Sequence, residues 1–334
     1  MKKHCNIPVF VPHLGCPHAC VFCDQRAISG HGDLSLDTAR EEIGRILSSL
    51  SPDTEREIAF FGGSFTCVER ERMLALCRLG REYIQSGAVS ALRCSTRPDG
   101  IDGEVLSILK EYGFSTIELG VQSVSDRVLA ACRRGHTFAD SERACRLVRE
   151  AGFSLVGQMM IGLPAADPES ELATARFLCE AGASAARVYP TVVFRGTALW
   201  DETAEGRYRP LSLEEAIGRT ASVLDVFDRA GVPVIRVGLC EGEGLRAAAA
   251  GPNDPALGER AMSRLFLRRA REALDPLSPA GKDLEIGVAR GALSRMIGRG
   301  RENILALKRI YNSKNVKVIE NSFLRGYNIK VKIV

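Results

Sequence analysis

The sequence predicts an α/β fold, a partial (β/α)6 TIM-like barrel with a C-terminal extension. Two observations carry this. Strand-like and helix-like segments alternate strictly from residue 8 to residue 193, and in a parallel sheet each strand needs a crossover helix before the next. No glycine-rich dinucleotide fingerprint follows the first strand, which favours a curved, barrel-like sheet over a doubly wound one.

The strand candidates are PVFV (8–11), IAFFGG (58–63), ALRCST (91–96), TIELGVQ (116–122), LVGQMMIG (155–162) and ARVYPTVV (186–193). Helical patterns lie between them over 36–50, 70–86, 103–113, 125–134 with 139–151, and 169–182. Asp102 and Ser125 stand at N-cap positions, and Gly113, Gly152 and Gly182 stand where a left-handed residue ends a helix. Beyond Trp200 a helix over 212–230 and a strand over 233–239 extend the barrel, and a further helix is expected over 260–274. DPLSPAGKD (275–283) reads as a linker, and VKVIEN…GYNIKVKI as two basic strands pairing in a hairpin. The expected organisation is therefore a barrel over 1–240, a helical extension and linker over 241–283, and a basic segment over 284–334. There are no internal repeats and no low-complexity segments.

With 334 residues, 45% hydrophobic and 26% charged, the chain can bury a sizeable core. Its 11 cysteines do not form the dense pattern of a short secreted scaffold. Cys77, Cys132, Cys145 and Cys179 sit singly in amphipathic patterns, as small hydrophobes do, so a reducing, cytoplasmic setting is expected. The apolar run near the start is broken by His13 before it reaches signal-peptide length, and no stretch approaches the roughly 18 apolar residues that read as a membrane span. Charge is unevenly spread. From Arg295 to Val334 there are ten basic residues and two acidic ones, a net of +8, which leaves −4 for the rest of a chain whose total is +4. A polyanionic partner such as RNA fits that asymmetry, and a solvated basic surface is the plainer reading.

LGCPHACVFCDQ (14–25) carries Cys16, Cys20 and Cys23 in a C-x3-C-x2-C spacing. Two readings are open. With His13 or His18 the three thiols make a Cys3His zinc site, which would suit an RNA-binding protein without catalysis. Alternatively they hold three irons of a [4Fe–4S] cluster and leave the fourth iron open, as a catalytic site requires. The loop follows the first strand, at the end of the sheet where barrel enzymes keep their active sites.

Strand alternation sorts the remaining candidates. Ile117, Leu119 and Val121 share one face and Glu118, Gly120 and Gln122 the other; Leu92 and Cys94 oppose Arg93, Ser95 and Arg97; Val188 opposes Arg187 and Tyr189. If the apolar faces meet the helices, the lumen is polar, lined by Arg93, Ser95, Arg97, Glu118, Gln122, Gln158, Arg187 and Tyr189. Arg93, Glu118 and Arg187 also fit a buried ion network. No acid or base can be assigned; Tyr189, His136, Cys67 and Cys94 are the candidates.

The cysteine spacing after a first strand, with Phe22 before the last cysteine, resembles the radical S-adenosylmethionine (SAM) superfamily. That resemblance implies a [4Fe–4S] cluster whose open iron is chelated by S-adenosyl-L-methionine, and reductive cleavage of SAM to methionine and a 5′-deoxyadenosyl radical. It also implies a low-potential electron donor such as a flavodoxin or ferredoxin. FFGGSFT (60–66) matches the superfamily's Gly-Gly-Glu at Gly62 and Gly63, with Ser64 in place of the glutamate, and implies contact with the SAM amino group. GVQSVSDRVLAACRRGH (120–136) and GQMMIGLP (157–164) resemble the anaerobic coproporphyrinogen oxidase branch. Carried across, Gln122 would meet the SAM ribose and Arg134 its carboxylate. Gln158 stands where that branch has an aspartate near the ribose, Ser95 where it has a glutamate, and Met160 and Ile161 would flank the adenine. STRPD (95–99), ELGVQS, RRGHT, QMMIGLP and RVYPTVVFRGTAL (187–199) together resemble the Elongator catalytic-subunit branch over about residues 5–240, which implies a tRNA substrate. An acetyltransferase module of ordinary size is not expected in the residues that remain. A small metabolite or tetrapyrrole is the alternative substrate.

Overall fold

The computed structural model describes residues 4–11, 20–24, 34–239 and 247–334. Seven parallel strands form one curled sheet in sequence order: β1 (His4–Val11), β2 (Glu55–Gly62), β3 (Ala91–Thr96), β4 (Phe114–Gln122), β5 (Ser154–Ile161), β6 (Ala185–Pro190) and, after a short β7 (Val193–Phe194), β8 (Val234–Val237) at the far edge. The crossovers are α1 (Leu36–Ser49), α2 (Arg70–Gln85), α3 (Gly103–Glu111), α4 (Asp126–Ala131) with α5 (Phe138–Glu150), and α6 (Pro168–Glu180). After α7 (Ala198–Ala204), α8 (Leu213–Arg229) leads into β8. This is the expected half-barrel, with the seventh strand that the 233–239 segment foreshadowed.

Local chemistry explains most boundaries. The Asp102 carboxylate accepts from the Val105 N–H and starts α3. Gly113, Gly152 and Gly182 take φ values of 89°, 79° and 73° after α3, α5 and α6. Ser212 and Glu215 close a capping box on α8. Two expectations need correction. Ser125 occupies an N-cap position but makes no side-chain cap bond, and α4 ends at Ala131 rather than Arg134. The 186–193 segment is two strands, because Pro190 has no N–H with which to continue the ladder. The chain turns there, and β7 pairs antiparallel with β9 (Ala248–Ala250).

The main core lies between the sheet's outer face and the helices. Ile117, Leu119, Val121, Leu92, Cys94 and Val188 are fully buried in it. Each such aliphatic side chain contributes roughly 1.5–3 kcal/mol. The opposite face, lining the curl, is polar.

The last residues form a second, smaller assembly. α9 (Leu257–Leu274) presents Ala261 and Leu265 to Ala221 and Leu224 of α8, and Phe266, Ala270 and Leu274 to a separate apolar cluster. That cluster is completed by β10 (Leu284–Val288), α10 (Leu293–Ile297), α11 (Glu302–Tyr311), β11 (Val316–Glu320) and β12 (Ile329–Ile333). β11 and β12 do not pair with each other as a hairpin. Both flank β10, β11 parallel to it and β12 antiparallel. Leu284, Ile286 and Val288 make β10 apolar on the inner face, so it takes the centre, and β11 and β12, which carry Lys317, Lys330 and Lys332, take the edges. Among the described residues no helix is long and apolar enough to cross a membrane.

Candidate active site at the C-terminal ends of the strands

Cys20 and Cys23 stand on one turn, in which the Cys23 N–H donates to the Cys20 carbonyl at 3.1 Å. Cys16, with His13 and His18, lies outside the described residues. The residue between the thiols is anchored twice: the Val21 N–H donates to the Cys132 carbonyl at 3.1 Å, and the Val21 carbonyl accepts from the Leu199 N–H at 2.8 Å. Val21 is buried with Val128, Cys132, Leu163 and Leu199, and Phe22 and Met160 pack against that cluster. Phe22 is therefore on the site's apolar wall.

Gly62 and Gly63 secure the point where the cysteine loop leaves β1. The Gly63 N–H donates to the Val11 carbonyl at 2.8 Å, and Gly62 has φ 107°. A Cβ on Gly62 would lie 2.7 Å from the Val11 oxygen, so only glycine fits. Ser64 is buried next to this pair.

Arg134 reaches the cysteines from the loop after α4. Arg133 and Gly135 take φ values of 51° and 80°, reversing the chain on either side of it and turning Arg134 inward. The residue is buried; its Nη1 donates to the Cys20 sulfur at 3.5 Å and its Nη2 to the Gly120 carbonyl at 2.9 Å. Arg134 is thus not an exposed cation on a helix terminus. Its Nε finds no hydrogen-bond partner among the described residues. Arg97, fully buried, grips both oxygens of Asp99 at 2.9 and 3.0 Å and donates to the Arg134 carbonyl. Arg97 therefore leaves the lumen set and supports the Arg134 loop. His136 is buried beside it, and burial, with the Arg134 charge second, pushes its pKa down to about 4.

Gln122 ends β4 with φ 65°, at a register shift between Gly120 and Gln122. Its amide and that of Gln158 on β5 exchange two hydrogen bonds, at 3.2 and 3.1 Å. Gly120 lies beneath both; a Cβ there would be 2.8 Å from Arg134 Nη2 and 3.0 Å from Gln122 Nε2. Sequence reasoning placed Gly120 on the polar face but missed this role.

Deeper in the lumen, Glu118 pairs with Arg187 Nε at 2.9 Å. Burial raises the Glu118 pKa, and Arg187, Arg93 and the Ser95 hydroxyl oppose that rise. Arg187 also donates to the Tyr189 hydroxyl at 3.1 Å, and burial raises the Tyr189 pKa.

Two candidates leave the site. The Ile161 side chain is fully buried in the main core, so it is Met160, not Ile161, that faces the lumen. Cys94 also lies in that core, and burial holds its thiol pKa well above the ordinary value. One support escaped the sequence reading. Buried Glu171 accepts from the Gly162 N–H at 2.8 Å and from Arg219 at 3.1 Å, while the Tyr208 hydroxyl donates to the Gly162 carbonyl at 2.7 Å. Its signal was a carboxylate in the same helical stripe as Thr174, Ala175 and Leu178.

A parallel half-barrel that gathers a cysteine turn, a buried guanidinium and paired amides at the C-terminal ends of its strands has the layout of a barrel-type enzyme. The radical SAM superfamily model matches residues 10–178, half of the chain, and the radical SAM C-terminal domain model matches 183–266. The chain belongs to the radical SAM superfamily. It is 30% identical to the uncharacterized protein MJ0486 of Methanocaldococcus jannaschii over 236 residues, 67% of this chain and 72% of that one. It is 32% identical to the tRNA uridine(34) acetyltransferase of the same organism over 130 residues, 38% of this chain but only 24% of that enzyme. Among solved structures, the archaeal Elp3 of Methanocaldococcus infernus, lacking its first 46 residues, superposes with a TM-score of 0.66 at 20% identity, covering 80% of this chain and 64% of that one. The Escherichia coli coproporphyrinogen III oxidase gives 0.51 at 20% identity, covering 69% and 53%. At such identities the structural likeness speaks for the fold.

Proposed function

We propose that this radical SAM enzyme binds a [4Fe–4S] cluster through Cys16, Cys20 and Cys23, cleaves S-adenosylmethionine, and acts on tRNA or another structured RNA. The described residues suit such a centre. A guanidinium N–H is directed at the Cys20 sulfur, Arg134 Nε has donor capacity to spare, and Gly120 keeps open a cradle that a methyl group would fill. The Arg134–Cys20 contact carries this reading, because it sets a buried cation beside a thiol and next to the Gln122–Gln158 pair.

When bound, the cluster would supply the electron for reductive cleavage of SAM, which is the radical precursor. Arg134 is positioned to hold an anionic group of the cofactor, with Arg97 fixing its backbone. Gln122 and Gln158 offer amide donors and acceptors toward a ribose, in exchange for their mutual bonds. Phe22, Met160 and Leu163 close one wall against water. Gly62 and Gly63, with Ser64, fix the loop's exit from β1.

The RNA part rests on a relative and on charge. The tRNA uridine(34) acetyltransferases among its relatives act, by their name, on uridine 34 of tRNA, and the chain matches about a quarter of their length. In the small sheet, Lys317 and Lys332 flank Glu285 in one row and Lys330 lies across from Gly287, all on the face turned away from the apolar cluster. All three lysines are exposed, and Phe323, in the β11–β12 connection, is 92% exposed. Exposed cations on the sheet face and an exposed aromatic side chain in its connection suit phosphates and an unstacked base. A reductant of low potential completes the set of partners.

Anaerobic reconstitution with iron and sulfide, followed by reduction with SAM present, tests the chemistry. The wild type is expected to yield 5′-deoxyadenosine, and a Cys16/Cys20/Cys23→Ala variant none. A wild type that takes up zinc in place of iron and yields no 5′-deoxyadenosine would overturn the reading.

A further inference from the structure

The lumen has a second mouth, at the N-terminal ends of the strands, away from the cysteine turn. A cavity of about 440 Å³ opens there, lined from β1, β3, β4, β5, β6 and β8. That volume falls within the range of small-molecule sites, roughly 300–1,000 Å³. Three guanidiniums line it, those of Arg93, Arg187 and Arg236. Thr116, Ser154 and Ser184 add hydroxyls, the two serines 2.7 Å apart.

The charges nearby do not balance. Glu118 is committed to Arg187 at 2.9 Å. Glu57 is shared between Arg93 at 3.5 Å and His4 at 3.2 Å. Among the described residues three arginines thus meet two carboxylates, with His4 a further cation when protonated. Arg93 is only 6% exposed, yet its Nη1 contacts are long, 3.4 Å to Asn6 Oδ1 and 3.5 Å to Glu57, and its Nε and Nη2 have no hydrogen-bond partner among the described residues. Among the described residues Arg236 donates only its Nε, to the Gly238 carbonyl at 3.2 Å, leaving its outer nitrogens for another acceptor. Buried cations with unspent donors are costly, and an oxyanion offsets that cost with bidentate bonds.

We propose that this mouth is a second binding site, for the phosphate group of a small phosphorylated molecule, held chiefly by Arg93 and Arg236. The cavity has room for a phosphoester's organic part as well as its phosphate. The site does not depend on the cysteine chemistry, and its test stands apart from it.

The test is calorimetric titration of the anaerobically reconstituted full chain, at constant ionic strength, with inorganic phosphate, ribose 5-phosphate and ribose. Saturable binding of both phosphates and none of ribose is expected, tighter for ribose 5-phosphate if an ester is the natural occupant and equal if free phosphate is; either order supports the site. Arg236→Gln, at a partly exposed position outside the cysteine site, should weaken phosphate binding about tenfold, and Arg93→Gln at least as much. Arg236→Gln alone decides the matter if the buried Arg93 variant does not fold. No saturable phosphate binding by the wild type, or affinity unchanged in Arg236→Gln, would overturn the proposal.

Discussion

The two main sheets of this protein are both two-faced, and they turn their polar faces in opposite directions. The seven-stranded sheet curls its polar face inward, so Arg93, Glu118 and Arg187 are nearly or largely removed from water and depend on buried partners, Arg187 on Glu118 and Arg93, in part, on Glu57. The three-stranded sheet turns its polar face outward, and Lys317, Lys330 and Lys332 stay solvated. The same strand alternation therefore gives charges that are desolvated in one place and, even where Lys317 pairs with Glu285 at 3.5 Å, exposed to solvent in the other. Desolvation makes the difference. A buried charge that loses its partner is severely destabilising, whereas an exposed one costs little to change.

The sharpest way to break this comparison is to unpair the lumen. Arg187→Met leaves Glu118 without its 2.9 Å partner in a place where burial already raises its pKa. A loss of about 3–5 kcal/mol in urea unfolding is expected. The double variant Arg187→Met/Glu118→Leu should recover most of it, since no unpaired carboxylate remains. A single variant as stable as wild type would mean that the lumen is wet and that the two faces do not differ.

A smaller effect sharpens the contrast through pH. His136 is pushed down to about 4 by burial and then by Arg134, against 6.5 for a free imidazole. Between those values the unfolded chain holds the extra proton, so the stability due to neutral His136 is full above pH 6.5 and is lost as pH falls toward 4. At pH 5 the loss is about 2 kcal/mol relative to pH 7.5. Unfolding curves of wild type and His136→Gln at the two pH values check this, with a flatter pH dependence expected in the variant. Parallel pH dependences would place His136 in contact with water.

What the sequence made legible follows the same division. In the barrel, each strand has an apolar face against helices, so Ile117, Leu119 and Val121 declared both strand and orientation, and Glu118 and Gln122 followed. Loops were harder to read. Nothing local announces that Arg133 and Gly135 take positive φ and turn Arg134 onto Cys20, or that Arg97 holds that loop instead of lining the lumen. Ile161 followed a family motif into the site, but strand alternation puts its side chain in the core. In the small sheet, the two strands of the basic segment were visible, but the order β11–β10–β12 was not. LEIGV (284–288) has no basic residue to draw attention to it, and its single Glu285 sits between Lys317 and Lys332 once the strand takes the middle.

The smallest effect on stability belongs to the outward face, and there the readout is binding. Lys317, Lys330 and Lys332 changed together to Gln should alter stability by no more than about 0.5 kcal/mol. If these lysines meet RNA phosphates, the dependence of log affinity on log salt should become shallower by about 2 for single-stranded RNA, because three fewer counterions are released. Phe323→Ala should instead weaken binding by about 1–3 kcal/mol without changing that slope, since stacking is not screened by salt. Filter-binding titrations with tRNA anticodon stem-loops across a salt series separate the two contributions. An unchanged slope in the triple variant would take RNA off this sheet and leave its basic face as a solvated surface. A shallower slope with undiminished affinity in Phe323→Ala would keep the phosphate contacts and remove the stacked base.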